Sequence, residues 1–119
     1  MPIVRLKDGR QFEAPQGARL TLVLRDHNID ILHRCGGYAR CTTCRVSFLE
    51  GEPHKMTQAE YDKLSERGLL GSVRLSCQIL CEADMTVEPL MSLVSQGLDD
   101  PGERPTDNLT PEPVWRDRP

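Results

Sequence analysis

Residues 35–44 read Cys-Gly-Gly-Tyr-Ala-Arg-Cys-Thr-Thr-Cys, and a fourth cysteine follows in Arg-Leu-Ser-Cys-Gln at 74–78. Three cysteines in so short a run surround a metal only from an irregular loop, and thiolate sulfur is a ligand for iron–sulfur clusters and for zinc. The glycines at 36 and 37 allow positive φ and let backbone N–H groups approach an anion. The pattern therefore predicts a loop that holds a thiolate-bound inorganic centre.

The spacing of the cysteines favours one of these centres. Structural zinc sites usually pair two short C-x(2–4)-C turns. Here Cys77 has only Cys81 nearby, and the first three cysteines follow the spacing C-x5-C-x2-C. Zinc leaves this spacing unexplained, so we interpret the pattern as an iron–sulfur site. Disulfides are disfavoured because the chain has five cysteines, an odd number, and because we detect no secretory segment.

The chain resembles a [2Fe–2S] ferredoxin of the β-grasp fold, in the C-x5-C-x2-C branch that includes adrenodoxin-like proteins. The flanking segments Asn-Ile-Asp-Ile-Leu at 28–32 and Arg-Leu-Ser-Cys-Gln-Ile at 74–79 also resemble the family. The resemblance covers residues 1–92. It implies an α+β fold in which a mixed sheet carries a covering helix and a cluster-binding loop. It also implies one-electron transfer without substrate turnover, so we expect an electron carrier and not an enzyme. The ligands that the resemblance implies for one [2Fe–2S] cluster are Cys35, Cys41, Cys44 and Cys77.

Local patterns before the cysteines predict a hairpin and a helix. Residues 3–7 alternate in polarity, and Asp8-Gly9 is a strong two-residue hairpin signal before the strand at 11–13. An apolar stripe predicts a helix over residues 19–27, and Asn28 is suited to ending it in the left-handed conformation. We expect this helix to cover the sheet.

The segments after the cysteines predict three strands and a second helix. Alternation predicts a strand over 44–50, and a capping box formed by Thr57 and Glu60 predicts a helix over 58–67 that ends at Gly68. Two further strands are predicted over 73–79, which delivers the fourth thiolate, and over 85–90. The order β-β-α-loop-β-α-β-β suits a β-grasp sheet.

Two other residues have chemistry that is relevant to a metal site. We interpret His27, at the predicted end of a helix, as a packing or capping residue, since the cysteine set is already complete. A strand that continues past Cys77 puts Cys81 ~13 Å away, at ~3.3 Å per residue. Because one cluster does not span both thiols, we interpret Cys81 as a structural cysteine.

Composition predicts one small domain with a distinct C-terminal end. The chain has 119 residues, 38% of them hydrophobic, without a long apolar stretch, so we expect no membrane span or signal peptide and a cytoplasmic monomer. Residues 1–98 have twelve acidic and twelve Lys or Arg residues, whereas residues 99–119 have six and three, with five of the nine prolines. We predict a ferredoxin domain over 1–92 and a Pro-rich acidic tail over 93–119. The tail lies along the domain, moves freely or binds a partner through Trp115.

The resemblance also suggests partners. We expect a flavin-type ferredoxin reductase or similar donor and a redox-enzyme acceptor; a redox- or cluster-sensing binding module is the alternative. The neutral body without a basic run argues against nucleic-acid binding. On the second helix Glu60, Asp62 and Glu66 are mixed with cations, which predicts a solvated mixed face. The predicted rim of the cluster is basic, with arginines at positions 34, 40 and 45.

Overall fold

A computed structural model describes residues 1–34, 36–39, 42–97, 100, 102 and 104–118. The strands are β1 (Ile3–Leu6), β2 (Gln11–Glu13), β3 (Ala18–Arg19), β4 (Arg45–Glu50), β5 (Lys55–Thr57), β6 (Arg74–Leu75), β7 (Leu80–Cys81), β8 (Met85–Pro89) and β9 (Trp115–Asp117). The helices are α1 (Leu20–Asp26), α2 (Gln58–Glu66) and α3 (Leu93–Gln96), and a 3₁₀ turn covers Ser76–Gln78.

A mixed five-stranded sheet forms the centre of the fold, in the order β2-β1-β8-β4-β6. β1 runs antiparallel to β2 and parallel to β8, while β4 runs antiparallel to both of its neighbours. The predicted hairpin is confirmed, with Gly9 at φ 99° in its turn. Two further strand pairs, β3 with β7 and β5 with β9, lie outside this sheet.

Helix α1 covers the sheet, as its apolar stripe predicts. Its buried residues Leu20, Val23 and Leu24 belong to the main hydrophobic cluster, together with sheet residues such as Val46 and Val87. Asn28 follows the helix at φ 61° and confirms the predicted left-handed end. Helix α1 therefore holds the chain that leads into the cysteines against a packed sheet.

A second, smaller cluster lies beside the cysteines. It contains Cys44, Cys77, Met56, Leu64 and Leu75 among its buried residues. Helix α2 contributes to it and begins as predicted, because the Thr57 hydroxyl accepts a hydrogen bond from the Glu60 N–H at 3.1 Å. Cys44 and Cys77, which belong to this second hydrophobic cluster, therefore lie at the junction between α2 and the sheet.

The predicted strand over 73–79 is wrong beyond Leu75. β6 has only two residues, and the chain then enters the 3₁₀ turn that carries Cys77. Side chains, and not a neighbouring strand, bind backbone carbonyls at this point. The Ser76 hydroxyl donates to the Cys44 carbonyl at 2.8 Å, and Arg19 Nε donates to the Cys77 carbonyl at 2.6 Å. The alternation that suggested a strand therefore arises from a turn buried on several sides.

Residues 99–119, called the C-terminal segment below, lie along the body where the structure describes them. Their strand β9 runs antiparallel to β5, with Met56 opposite Arg116. The Gln58 N–H donates to the Val114 carbonyl at 2.7 Å and the Arg118 N–H to the His54 carbonyl at 2.8 Å, which extends the pairing at both ends. The segment therefore adds a strand beside the entrance to α2.

Candidate metal centre

Residues 34–44 are called the cysteine loop below, and those of them that the structure describes have the irregular backbone that the sequence predicts. Four of the described residues have positive φ, namely Gly36 (71°), Gly37 (90°), Ala39 (59°) and Thr42 (55°). Left-handed residues reverse the direction of successive peptide groups, and such turns form concave sites whose N–H groups face an anion. The backbone is therefore suited to wrapping around a centre and not to continuing a strand or helix.

Two of the four predicted ligands are described, and both are buried. Cys44 is 3% exposed and Cys77 is 1% exposed, and they belong to the same cluster of buried side chains. Cys35 and Cys41 lie outside the described residues. Among the residues that the structure does describe, no three His, Cys, Asp or Glu side chains are grouped as ligands. The complete ligand set therefore stays a prediction.

Hydrogen bonds through Ser76 hold the two described candidate ligands, Cys44 and Cys77, close together. The Ser76 N–H donates to the Cys44 carbonyl at 3.1 Å, and its hydroxyl donates to the same oxygen at 2.8 Å. Ser76 is fully buried, so water does not compete for these bonds. The end of the cysteine loop and the Cys77 turn are consequently held beside each other.

The side chain of Gln78 lies between the two parts of the site. Its Nε2 is 3.7 Å from Cys77 Sγ, 3.2 Å from the Gly37 carbonyl and 2.7 Å from the Thr110 carbonyl. Its Oε1 accepts from the Thr57 hydroxyl at 2.8 Å, and the residue is fully buried. A donor aimed at sulfur stabilises negative charge on it, which is one of the means by which proteins tune a thiolate-bound centre.

The arginines predicted at the rim bind backbone and side-chain oxygens. Arg45 Nε donates to the Thr42 carbonyl at 3.0 Å and its Nη2 to the Thr42 hydroxyl at 2.8 Å, at a residue with positive φ. The exposed Arg34 donates through Nη1 to the Asp100 carbonyl at 2.7 Å. Arg40 lies outside the described residues. Arg34 and Arg45 therefore fix the ends of the cysteine loop as well as bringing positive charge to it.

A protein-family model matches the part of the sequence that forms this site. The model of the 2Fe-2S iron-sulfur cluster binding domain matches residues 4–82, which include the cysteine loop and the Cys77 turn. The chain belongs to the [2Fe–2S] ferredoxin family. The predicted family is thereby confirmed, and so is its cofactor, one [2Fe–2S] cluster. Ferredoxins carry electrons and are not enzymes, so the predicted class of function is confirmed for this domain.

Solved structures agree with this assignment. The ISC-like [2Fe–2S] ferredoxin of Pseudomonas putida superposes with a TM-score of 0.62 at 30% identity, over 74% of this chain and 91% of that one, which confirms the β-grasp ferredoxin fold. A chain of the covalent putidaredoxin reductase–putidaredoxin complex matches with a TM-score of 0.57 at 28% identity, over 73% of this chain and 94% of its own length.

A curated relative is a component protein of the Na(+)-translocating NADH-quinone reductase of Methylococcus capsulatus. It is 31% identical over 84 residues, which are 71% of this chain and 20% of that protein. The chain therefore spans about a fifth of the length of the curated relatives that it matches.

The described residues of this ferredoxin domain fit a [2Fe–2S] cluster. The buried thiols of Cys44 and Cys77 belong to one cluster of side chains, the cysteine loop that leads into Cys44 has left-handed residues, and an amide donor approaches the Cys77 sulfur. Thiolate ligands and N–H donors to sulfur are the groups that such clusters use in proteins. This fit comes from the donor chemistry of the chain itself.

Cys81 and His27 lie apart from the cysteine loop. Cys81 is fully buried in the main hydrophobic cluster, on strand β7 opposite Ala18, whereas Cys77 lies in the second cluster. Burial raises the pKa of the Cys81 thiol to about 12. The His27 ring stacks on Phe12 with centroids 4.2 Å apart, and its Nδ1 is 2.9 Å from the Val23 carbonyl at the helix end. These contacts agree with the packing and capping interpretation of His27.

The predicted mixed face of α2 is wrong for Glu60. This residue is fully buried, and its carboxylate pairs with Arg74 through Nε at 2.8 Å and Nη2 at 3.1 Å, while also accepting from the Leu75 N–H at 2.8 Å. Burial raises the pKa of Glu60, and the Arg74 guanidinium opposes that shift. The capping box suggested a carboxylate at the helix surface, but the partner is a distant arginine that supplies a stronger, bidentate contact.

Two residues of the site were not identified from the sequence. Arg19 and Gln78 are both buried, and both contact the Gly37 carbonyl. Arg19 directly precedes the apolar stripe of α1, and an arginine is rarely buried unless it has partners, which the sequence does not reveal. A polar residue that directly follows a predicted ligand is a signal for Gln78, but spacing alone does not say which way its side chain points.

Proposed function

We propose that this ferredoxin domain is a one-electron carrier between a reductase and an acceptor redox enzyme, and that Cys35, Cys41, Cys44 and Cys77 hold its cluster. The observation that carries this proposal is the joining of the cysteine loop to the Cys77 turn through Ser76 and Gln78. Ligands that are far apart in sequence bind one cluster only if the fold brings their turns together.

A bound [2Fe–2S] cluster supplies a one-electron redox couple at a potential that its surroundings set. The chain contributes the Gln78 amide beside Cys77 Sγ, which favours additional negative charge on sulfur. Packing around Cys44 and Cys77 excludes water from this side of the site. Tyr38 lies in the cysteine loop between two of the ligands and is 44% exposed, so the loop reaches the surface where a partner docks.

The donor of this carrier is a flavin-type ferredoxin reductase or a similar enzyme. Two comparisons support that class of donor: a matched chain forms a covalent complex with putidaredoxin reductase, and a relative is a component of an NADH-quinone reductase. The acceptor is a redox enzyme. In the described part of the chain no helix is long and apolar enough to cross a membrane.

The carrier works as a cytoplasmic monomer in which residues 1–92 form the ferredoxin domain and residues 93–119 a tail bound to it. The proposed cluster site supports a reducing compartment, because its cysteines bind iron as thiolates and not as disulfides. Strand β9, which pairs with β5 of the same chain, supports a tail that stays with its own domain.

Serine substitutions test the ligand set. Cys35→Ser, Cys41→Ser, Cys44→Ser and Cys77→Ser should each lose or alter the visible absorption of the cluster and reduce the iron bound per chain. Cys81→Ser is the matched control, because it makes the same change at a buried cysteine outside the site. A Cys81→Ser protein that loses its colour, or a Cys77→Ser protein that keeps an unchanged spectrum, contradicts the assignment.

Turnover with partners tests the carrier. With NAD(P)H and a flavin-dependent ferredoxin reductase, the holo-protein should pass electrons to cytochrome c at a rate proportional to its concentration. A sensing module would be reduced once and would change its association with a partner without sustaining this flow. Absence of sustained transfer, in a protein that a chemical reductant does reduce, would argue for the sensing alternative.

A further inference from the structure

The Arg19 guanidinium lies at the meeting point of three separate parts of the chain. It is 1% exposed, and its Nε donates to the Cys77 carbonyl at 2.6 Å. Its Nη2 donates to the Gly37 carbonyl in the cysteine loop. The bonds to the C-terminal segment go to the carbonyls of Thr106 (2.8 Å) and Asn108 (3.0 Å) and to the Thr110 hydroxyl (3.2 Å).

The glycine at position 37 leaves room for this guanidinium. A Cβ added to Gly37 would lie 2.8 Å from Pro105 Cβ and 2.9 Å from Arg19 Cζ, both closer than side chains pack. The residue also has φ +90°, a conformation that L side chains rarely adopt. No side chain therefore fits at position 37, where the cysteine loop packs against Arg19 and the C-terminal segment.

The C-terminal segment meets the start of the cysteine loop as well. The Asp100 carbonyl accepts from Arg34 Nη1 at 2.7 Å, and a Cβ on Gly102 would lie 2.6 Å from Arg34 Cα. The Thr110 hydroxyl donates to the Gly37 carbonyl at 3.2 Å, and the Thr110 carbonyl accepts from Gln78 Nε2 at 2.7 Å. The segment thus covers the loop at two points on either side of Cys35 in the sequence.

We propose that Arg19 is a positioning residue that clamps the cysteine loop, the Cys77 turn and the C-terminal segment together around the cluster. The proposal rests on the ligand set proposed above. A guanidinium suits this role because its five N–H donors form a rigid planar fork, which one ammonium group does not reproduce. Its positive charge lies beside ligand-bearing backbone and favours the more negative, reduced state of the site.

Substitutions of two arginines test the clamp in the full-length holo-protein. Arg19→Met removes the fork and the charge, and Arg19→Lys keeps the charge without the fork. Arg25→Met is the matched control, since Arg25 is nearby on α1 with its side chain 39% exposed. Cluster loss is followed by visible absorption under anaerobic conditions with excess iron chelator, and the midpoint potential is measured by redox titration.

The clamp predicts a separate effect for each variant. Loss of buried hydrogen bonds should make Arg19→Met release iron about tenfold faster than the wild type. Its midpoint potential should move to a more negative value. Arg19→Lys should restore the potential towards that of the wild type but should still release iron faster, because charge is retained and the fork is not. Arg25→Met should match the wild type in both measurements.

A second pair of variants keeps the test decisive if Arg19→Met does not fold. Thr110→Val removes the hydroxyl that accepts from Arg19 and donates to Gly37. Thr86→Val makes the same change on strand β8 of the central sheet, at a residue that is not part of the clamp. Hydrogen exchange in peptides spanning 36–39 and 105–110 should accelerate in both regions for Thr110→Val, whereas Thr86→Val should leave exchange in both regions unchanged.

The outcomes separate this inference from the ligand assignment. If the wild type binds no cluster, the proposed function fails. If the wild type binds its cluster, the clamp is overturned when Arg19→Met has the iron-release rate and midpoint potential of Arg25→Met. It is also overturned when Thr110→Val leaves exchange at 36–39 unchanged.

Discussion

The Gln78 amide joins the Cys77 sulfur to two carbonyls, so its removal should act on the redox potential of the site. We expect Gln78→Leu to lower the midpoint potential by tens of millivolts, given that a tenfold change in a one-electron equilibrium corresponds to about 59 mV. The physical reason is the loss of a donor that stabilises negative charge on Cys77 Sγ. Redox titration of the purified holo-protein measures the shift.

The control for this substitution is Gln16→Leu. Gln16 donates to the Glu82 carbonyl at 3.1 Å on an exposed part of the molecule. Equal potentials for both variants and the wild type would show that the 3.7 Å contact of Gln78 with sulfur does not influence the site.

The Cys81 thiol should be alkylated slowly, and the alkylation rate should rise with pH as the thiol ionises. With a pKa of about 12, only about one thiol in ten thousand is ionised at pH 8. The labelling rate should therefore be at least a thousandfold lower than for an exposed cysteine and should rise with pH up to about 12. Iodoacetamide labelling followed by mass spectrometry measures it, and rapid labelling of Cys81 at pH 8 in the folded protein would contradict its buried placement.

The buried pair between α2 and β6 should make a large contribution to stability. Glu60→Ala leaves the Arg74 guanidinium buried with only part of its partner set, and breaking such a pair costs about 3–5 kcal/mol. Glu60→Ala should therefore unfold at a much lower urea concentration, as followed by circular dichroism. Asp62→Ala, an exposed change on the same helix, should shift the free energy of unfolding by less than about 1 kcal/mol. Equal urea midpoints for the two variants would contradict this role.

Elements with strong local signals could be predicted from the sequence, and those that depend on distant partners could not. The Asp8-Gly9 turn, the left-handed Asn28 and the Thr57 cap each act within a few residues, and the structure contains all three. The segment after Leu75 alternates like a strand but becomes a turn, because Arg19 and Cys44 supply its partners from far away in the chain. Periodicity does not contain that information.

Dependence on distant partners also explains which residues of the site the sequence does not predict. Cysteine spacing indicated an iron–sulfur site, because the ligands of such a site are themselves visible in the sequence, and the resemblance to ferredoxins implied the [2Fe–2S] type. The residues that orient the site, Arg19 and Gln78, act through backbone carbonyls, which every sequence has. Their roles depend on the path of the C-terminal segment, whose composition indicated only an extended chain and left its contacts open.

The attachment of the C-terminal segment concerns the whole molecule, and Arg116→Pro should weaken it. Proline lacks the N–H group that strand pairing requires, and Arg116 also lies over the Tyr61 ring, 3.5 Å from its centroid. Hydrogen exchange should accelerate over 55–57 and 115–117 while protection in the five-stranded sheet is kept. Arg116→Ala keeps the backbone and should accelerate exchange much less; identical exchange in both variants would mean that β9 pairing does not hold the segment.

As a whole molecule, the chain should carry one electron on a cluster bound by four cysteines. The most direct measurement is an anaerobic reductive titration of the purified full-length protein, followed by visible and low-temperature EPR spectroscopy, with iron and sulfide counted per chain. We predict a brown protein with about two iron and two sulfide per chain that takes up one electron and then gives a rhombic signal. A colourless protein that carries one zinc ion would contradict the account.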